Sequence, residues 1–130
     1  MDRHVDLAAV SDAPGQARAE IRSTLTEWGL LPCLDDALLI ASELVTNAAR
    51  HGQGKVKLHI QANDGLVRIE VEDQSIQQFP QRRSPTDAST GGRGLILVEA
   101  LSERWGWDNG TSSKTVWAEI DCSSGSPVLG

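Results

Sequence analysis

The stretch that decides the fold is LDDALLIASELVTNAARHG, residues 34–52. Leu34, Leu38, Ala41, Val45 and Ala48 recur at helical spacing, and Gly52 stops the pattern. On a helical wheel of roughly 100° per residue, Glu43 and Asn47 lie one turn apart and roughly opposite that stripe. A carboxylate and a carboxamide so placed suit a positioned water and an oxygen-loving cation such as Mg²⁺. The plainer alternative is a solvated helix face. Leu39 and Ile40 flank Glu43, however, and a wholly solvated side seldom carries two large aliphatics. This face is therefore expected to line a pocket.

Upstream, Val5–Val10 reads as a short strand, and Pro14 opens a second helix along Ala17, Ile21, Leu25 and Trp28 that ends near Gly29. Downstream the period changes to alternation. Val56, Leu58 and Ile60 share one face of a strand, and Val67, Ile69 and Val71 one face of the next. Asn63-Asp64-Gly65 joins them as a hairpin. Residues 74–92 are polar and without a period, and a structureless loop of that length suggests a lid. Gly91, Gly92 and Gly94 then lead into LILVEALSERW, which has the composition of a buried helix. Trp105–Asn109 and Thr115–Asp121 close the chain as a hairpin, before a Gly, Ser and Pro rich tail at 123–130. This order does not alternate strand and helix, so a doubly wound parallel sheet is excluded. The expected fold is α+β, a two-layer sandwich with helices on one face of a mixed, mostly antiparallel sheet, formed as one domain over residues 1–122.

Two further features carry chemistry. Asp73 is in phase with the buried face of its strand, and a buried carboxylate needs a donor, which the exocyclic amino group of adenine would supply. The alternative is that the strand ends at Glu72 and Asp73 begins the loop. Gly91-Gly92-Arg93-Gly94 before a helix offers backbone N–H groups and a positive dipole end to phosphate oxygens, and Arg93 adds a guanidinium.

Taken in order, ELVTNAARHG, VEVEDQS, the polar loop, GGRGLILVEALSERWGW and KTVWAEI resemble the GHKL, or Bergerat-fold, ATPase domain shared by gyrase, Hsp90, histidine kinases and MutL. Within that superfamily the chain is most similar to single-domain anti-sigma factor serine/threonine kinases of actinobacteria. The resemblance implies Glu43 as general base or water-orienting carboxylate and Asn47 as Mg²⁺ ligand. It implies Asp73 and Ser75 at adenine, Gly92, Arg93 and Gly94 at the phosphates, residues 74–92 as the ATP lid, and Thr115 as a further adenine contact. Strand phase sets Thr115 with Trp117, apart from Val116, Ala118 and Ile120. The family's adenine loop usually reads D-x-G-x-G, whereas Ser75 and Gln77 stand at those glycine positions here. Glycine there allows close backbone approach or a positive φ, so weaker nucleotide binding is expected.

The implied function is an ATP- and Mg²⁺-dependent serine/threonine protein kinase that phosphorylates a STAS-type anti-sigma factor antagonist and otherwise sequesters a sigma factor. The altered adenine loop keeps open a catalytically weak binding module of the same fold. A histidine kinase fragment is the least favoured reading, because the region before Ile21 is too short for a two-helix dimerisation unit. A homodimer is implied by the resemblance alone.

Composition agrees. The 130 residues are 39% hydrophobic and 23% charged, near the globular average. A formal net charge of −6 argues against direct nucleic-acid binding, which rests on clustered Lys and Arg. No signal peptide and no run long enough to cross a bilayer is read, so a cytoplasmic protein is expected. Cys33 and Cys122 are read as reduced thiols, His51 as a packing or capping residue, and His4 and His59 as histidines without partners. The four tryptophans are assigned to packing.

Overall fold

The computed structural model describes residues 1–7, 12–51, 55–74, 92–110 and 113–122. Strand β1 (Asp2–Leu7) precedes helix α1 (Ala13–Trp28), a short 3₁₀ turn at Leu31–Cys33 and helix α2 (Leu34–His51). Strands β2 (Val56–Asn63) and β3 (Leu66–Asp73) follow, then helix α3 (Gly92–Leu101) and strands β4 (Arg104–Asn109) and β5 (Lys114–Asp121). The sheet order is β1-β2-β3-β5-β4. Every pairing in it is antiparallel, so the expected mixed character gives way to a fully antiparallel sheet among the described residues.

Local chemistry accounts for the boundaries. Pro14 lies in the first turn of α1, where its missing N–H costs nothing, and Gly29 closes the helix at φ 74° with its N–H turned back to Leu25 and Thr26. Asp35 and Asp36 sit in the first turn of α2, where the dipole favours negative charge. Asp64 and Gly65 both take positive φ, 53° and 81°, as a two-residue turn with the right twist for a hairpin requires. The third helix starts at Gly92, so its glycines belong to the first turn, and it ends at Leu101. Arg104 and Trp105 are already in β4. This helix is not buried all round: Val98 is fully buried while Ile96 is exposed. The first strand also differs from expectation, running from Asp2 to Leu7.

Helices cover one face of the sheet, and the core lies between. Ala17, Ile21 and Leu25 of α1 and Ile40, Ala41, Leu44 and Val45 of α2 are buried with Leu58, Ile60, Val67, Ile69, Val71, Ala118 and Ile120 of the sheet. No described helix is long and apolar enough to cross a membrane. The other sheet face is polar. Glu119 there accepts from Arg68 at 2.8 Å and from Arg104 at 2.7 and 3.0 Å, and the Arg68 guanidinium lies 4.2 Å over the Trp117 ring. Trp28, Trp105 and Trp107 pack at the edge of the core as expected, whereas Trp117 belongs to this polar face.

The cysteines correct the sequence reading. Cys33 and Cys122 are buried and joined as a disulfide, with Cα atoms 5.1 Å apart and a sequence separation of 89. The pair is invisible in sequence because it depends on β5 ending beside the 3₁₀ turn. Closing so long a loop restricts the unfolded chain, so full reduction is expected to lower stability by about 2–4 kcal/mol. Denaturant melts with and without a thiol reductant test this, with unchanged midpoints as the contrary result.

Burial opposes ionisation of Glu119, but hydrogen bonds and charge from Arg68 and Arg104 outweigh it and hold its pKa below the ordinary value. A carboxylate with a depressed folded pKa stabilises the fold above its unfolded pKa and loses that contribution as pH falls through the folded value. Glu119→Gln is therefore expected to destabilise the protein at neutral pH, with the gap to the parent shrinking below about pH 4. Parallel urea melts across pH measure it, and a gap that widens on acidification would refute the pairing.

Candidate functional site

Two of the side chains that the sequence places at the nucleotide stand on α2. This helix packs on β3 and β5 and on α3. Which flank of α2 is open follows from its burial. Ala37, Ile40, Ala41, Leu44, Val45 and Ala48 are buried, whereas Leu34 and Leu38 are half-buried and Leu39 is exposed. The centre of the buried face thus lies roughly 50° closer to Asn47 than the sequence stripe placed it. Asn47 borders the core beside Ile40, Glu43 follows one turn earlier, and both are half-buried. They flank the core rather than oppose it, which is where pocket-lining side chains belong.

Asp73 ends β3 in phase with Val67, Ile69 and Val71, so alternation carries its carboxylate onto the face beneath the helices, 1% exposed. The strand therefore includes Asp73 and does not stop at Glu72. Its cross-strand partner is Lys114, also buried, with the ammonium 3.9 Å from the carboxylate. Burial pushes the Lys114 pKa down, and the Asp73 charge works against that shift. A cation across the strands is thus part of what makes a buried Asp73 tolerable. The sequence reading missed Lys114, although its place immediately before Thr115, out of phase with it, was a usable signal.

Thr115 pairs in register with Glu72, on the opposite side of β5 from Lys114. It lines a shallow hollow on the polar sheet face with Lys57, His59 and Glu70, and is not brought to Asp73. Gly92, Arg93 and Gly94 form the first turn of α3, which supplies backbone N–H groups without intrahelical partners. Ser75 and most of the expected lid, residues 75–91, lie outside the described residues, as do residues 123–130 of the tail.

The donor set fits a purine nucleotide triphosphate. A buried carboxylate accepts from an amino group, a glycine-led helix start meets anionic oxygens, and half-buried oxygen side chains at Glu43 and Asn47 stand on the adjoining helix. Two histidines expected to stand alone are in fact joined: His4 and His59 stack at 3.9 Å across β1 and β2 on the far sheet face. Their 55-residue separation in sequence hid the contact.

Asp73 has a structural duty beside any binding duty. Asp73→Asn removes the carboxylate facing a buried ammonium and is expected to cost about 3 kcal/mol. Adding Lys114→Met should recover much of the loss, a coupling that a double-mutant cycle reads directly. Simple additivity of the two changes would show that the pair is not coupled.

Comparison with known proteins agrees with this geometry. Residues 8–120 match the histidine kinase-like ATPase domain. The structure of the RsbU and RsbW domains of Rv1364c from Mycobacterium tuberculosis is similar, with 26% identity and a TM-score of 0.69. That match covers 92% of this chain and 32% of the mycobacterial one, so this chain spans about a third of that relative. The histidine kinase domain of the blue-light activated kinase from Erythrobacter litoralis shares the fold, with 23% identity and a TM-score of 0.57 over 76% of this chain and 52% of its own. The Acinetobacter baumannii histidine kinase AdeS shares it too, at 14% identity and a TM-score of 0.52 over 92% and 68%. No curated protein matches the chain. With that match running over most of its length, this chain belongs to the histidine kinase-like ATPase domain family, which implies an ATP site.

Proposed function

We propose that the chain is an ATP-dependent serine/threonine protein kinase of the anti-sigma type. It phosphorylates a small STAS-type antagonist protein and, in the unphosphorylating state, binds and silences a sigma factor. The observation that carries the nucleotide part is the buried Asp73 carboxylate at the end of β3, on the face that α2 covers. The partner-switch part is supported by the resemblance of the motifs and by the likeness to a chain with RsbU and RsbW domains.

Bound ATP with Mg²⁺ supplies the transferable phosphoryl group and the charge neutralisation that such transfer needs. The residues of this chain bind and orient. Asp73 and Ser75 hold the base, and the amides of Gly92 and Gly94, with Arg93, hold phosphate oxygens. Asn47 gives an oxygen ligand to Mg²⁺, and Glu43 orients or accepts the proton of the incoming hydroxyl. Thr115 faces the other side of β5 from Lys114 and is left out of this set.

A second reading, a binding module with weak or no turnover, is favoured by one specific observation. The Lys114 ammonium faces the same carboxylate that would accept from adenine, so it competes for that acceptor. Ser75 and Gln77 at the usual glycine positions act in the same direction.

Asn47→Ala is expected to reduce transfer of label from ATP to a cognate antagonist by about a hundredfold or more while leaving the fold intact. Incubation with labelled ATP and candidate antagonists checks this. Unimpaired transfer by the variant would remove Asn47 from the site, and antagonist binding by the parent without transfer of label would select the binding module.

A further inference from the structure

We propose that the polar face of the sheet carries a site for a divalent transition-metal ion of the Zn²⁺ class, held by Asp2, His4 and His59. Neither ATP nor the α2 pocket takes part in it, and it stands whatever becomes of the kinase reading.

Strand pairing builds the site. His4 and His59 are direct cross-strand partners of β1 and β2, and Asp2 lies two residues before His4 on the same face. The donor atoms of all three lie within 4.8 Å of one another. The Asp2 carboxylate divides itself between the rings: one oxygen meets His59 Nε2, and the other lies 3.5 Å from His4 Nε2. Donors bound to one tetrahedral Zn²⁺ at about 2.0–2.2 Å stand roughly 3.3 Å apart, so the ion enters as the exposed Asp2 carboxylate withdraws from direct contact with His59 Nε2 and the exposed His4 ring turns out of its stack on His59.

The surroundings of His59 favour a cation. Its Nδ1 lies 3.1 Å from Glu70 Oε1, while its Nε2 meets the Asp2 carboxylate, so acceptors stand at both ring nitrogens. A neutral imidazole carries one N–H. With that proton on Nδ1 donating to Glu70, the Nε2 lone pair meets an anionic oxygen, a contact that a shared proton relieves as it stands and that a metal ion relieves by drawing the carboxylate outward. Glu70 then plays the orienting role that carboxylates commonly have behind metal-bound histidines. Its own position is fixed by Arg68, whose Nε donates to Glu70 Oε2 at 2.6 Å. Two imidazoles and a carboxylate are a set that Zn²⁺ accepts readily, with room for water at the open side. The ion would fasten the edge strand β1 to β2.

Calorimetric titration of Zn²⁺ into the untagged, chelator-stripped full chain tests the site. The expected result is one ion per chain at micromolar affinity, with a rise in Tm on saturation. His4→Ala, at an exposed position that the core does not need, should abolish this binding, as should His59→Ala. Glu70→Gln should weaken it by about tenfold. The histidine ring proton resonances of His4 and His59 should move together at one equivalent. No saturable binding at sub-millimolar Zn²⁺, or binding of equal strength in His4→Ala, would overturn the proposal.

Discussion

The structure depends on the packing of α2 against β3. Strand alternation sends every second residue of β3 toward the helix-covered face, and Val67, Ile69 and Val71 are buried there in one core with Ile40, Leu44 and Val45 of α2. The same alternation cannot stop at the last apolar residue. It delivers Asp73 to the covered face as well, where an isolated charge would be costly. A carboxylate in that position, met by a buried ammonium across the strands, is a feature that core packing alone would not select. It gives the site its polarity.

The two sides of the sheet therefore serve different chemistry. Beneath the helices, the apolar core gives way at the end of β3 to Asp73 and Lys114. On the far face, a chain of hydrogen-bonded polar side chains runs from Arg104 and Glu119 through Arg68 and Glu70 to His59 and Asp2. Such pairs on a solvated sheet each contribute little, but several sharing partners fix side-chain positions. Lys114 and Thr115 are adjacent in sequence and point to opposite sides, which separates a residue of the helix-covered face from one of the polar face.

Much of this was legible in sequence, for reasons that can be named. The helix over residues 34–51 follows from its apolar spacing, the β2–β3 hairpin from Asp64-Gly65, and the burial of Asp73 from strand phase, all of them local signals. The flank of α2 was placed too far from the core because Leu34 and Leu38 were weighted equally with Ile40 and Leu44, and only tertiary packing separates them. The resemblance of the motifs to the histidine kinase-like ATPases covered nearly the whole chain and led to the family that residues 8–120 match. What stayed hidden was long-range: the Cys33–Cys122 pair, the stacking of His4 on His59, and the ammonium of Lys114 opposite Asp73. Each depends on strand order and register, which no local pattern specifies.

The central claim is that α2, the end of β3 and the start of α3 enclose an ATP site. Calorimetric titration of ATP into the full chain, with and without Mg²⁺, tests it most directly. The account predicts saturable binding of one nucleotide per chain, tighter with Mg²⁺ and much weaker for GTP, whose base presents a carbonyl where adenine presents the amino group to Asp73. No detectable binding at millimolar ATP, or equal affinity for the two nucleotides, would contradict it.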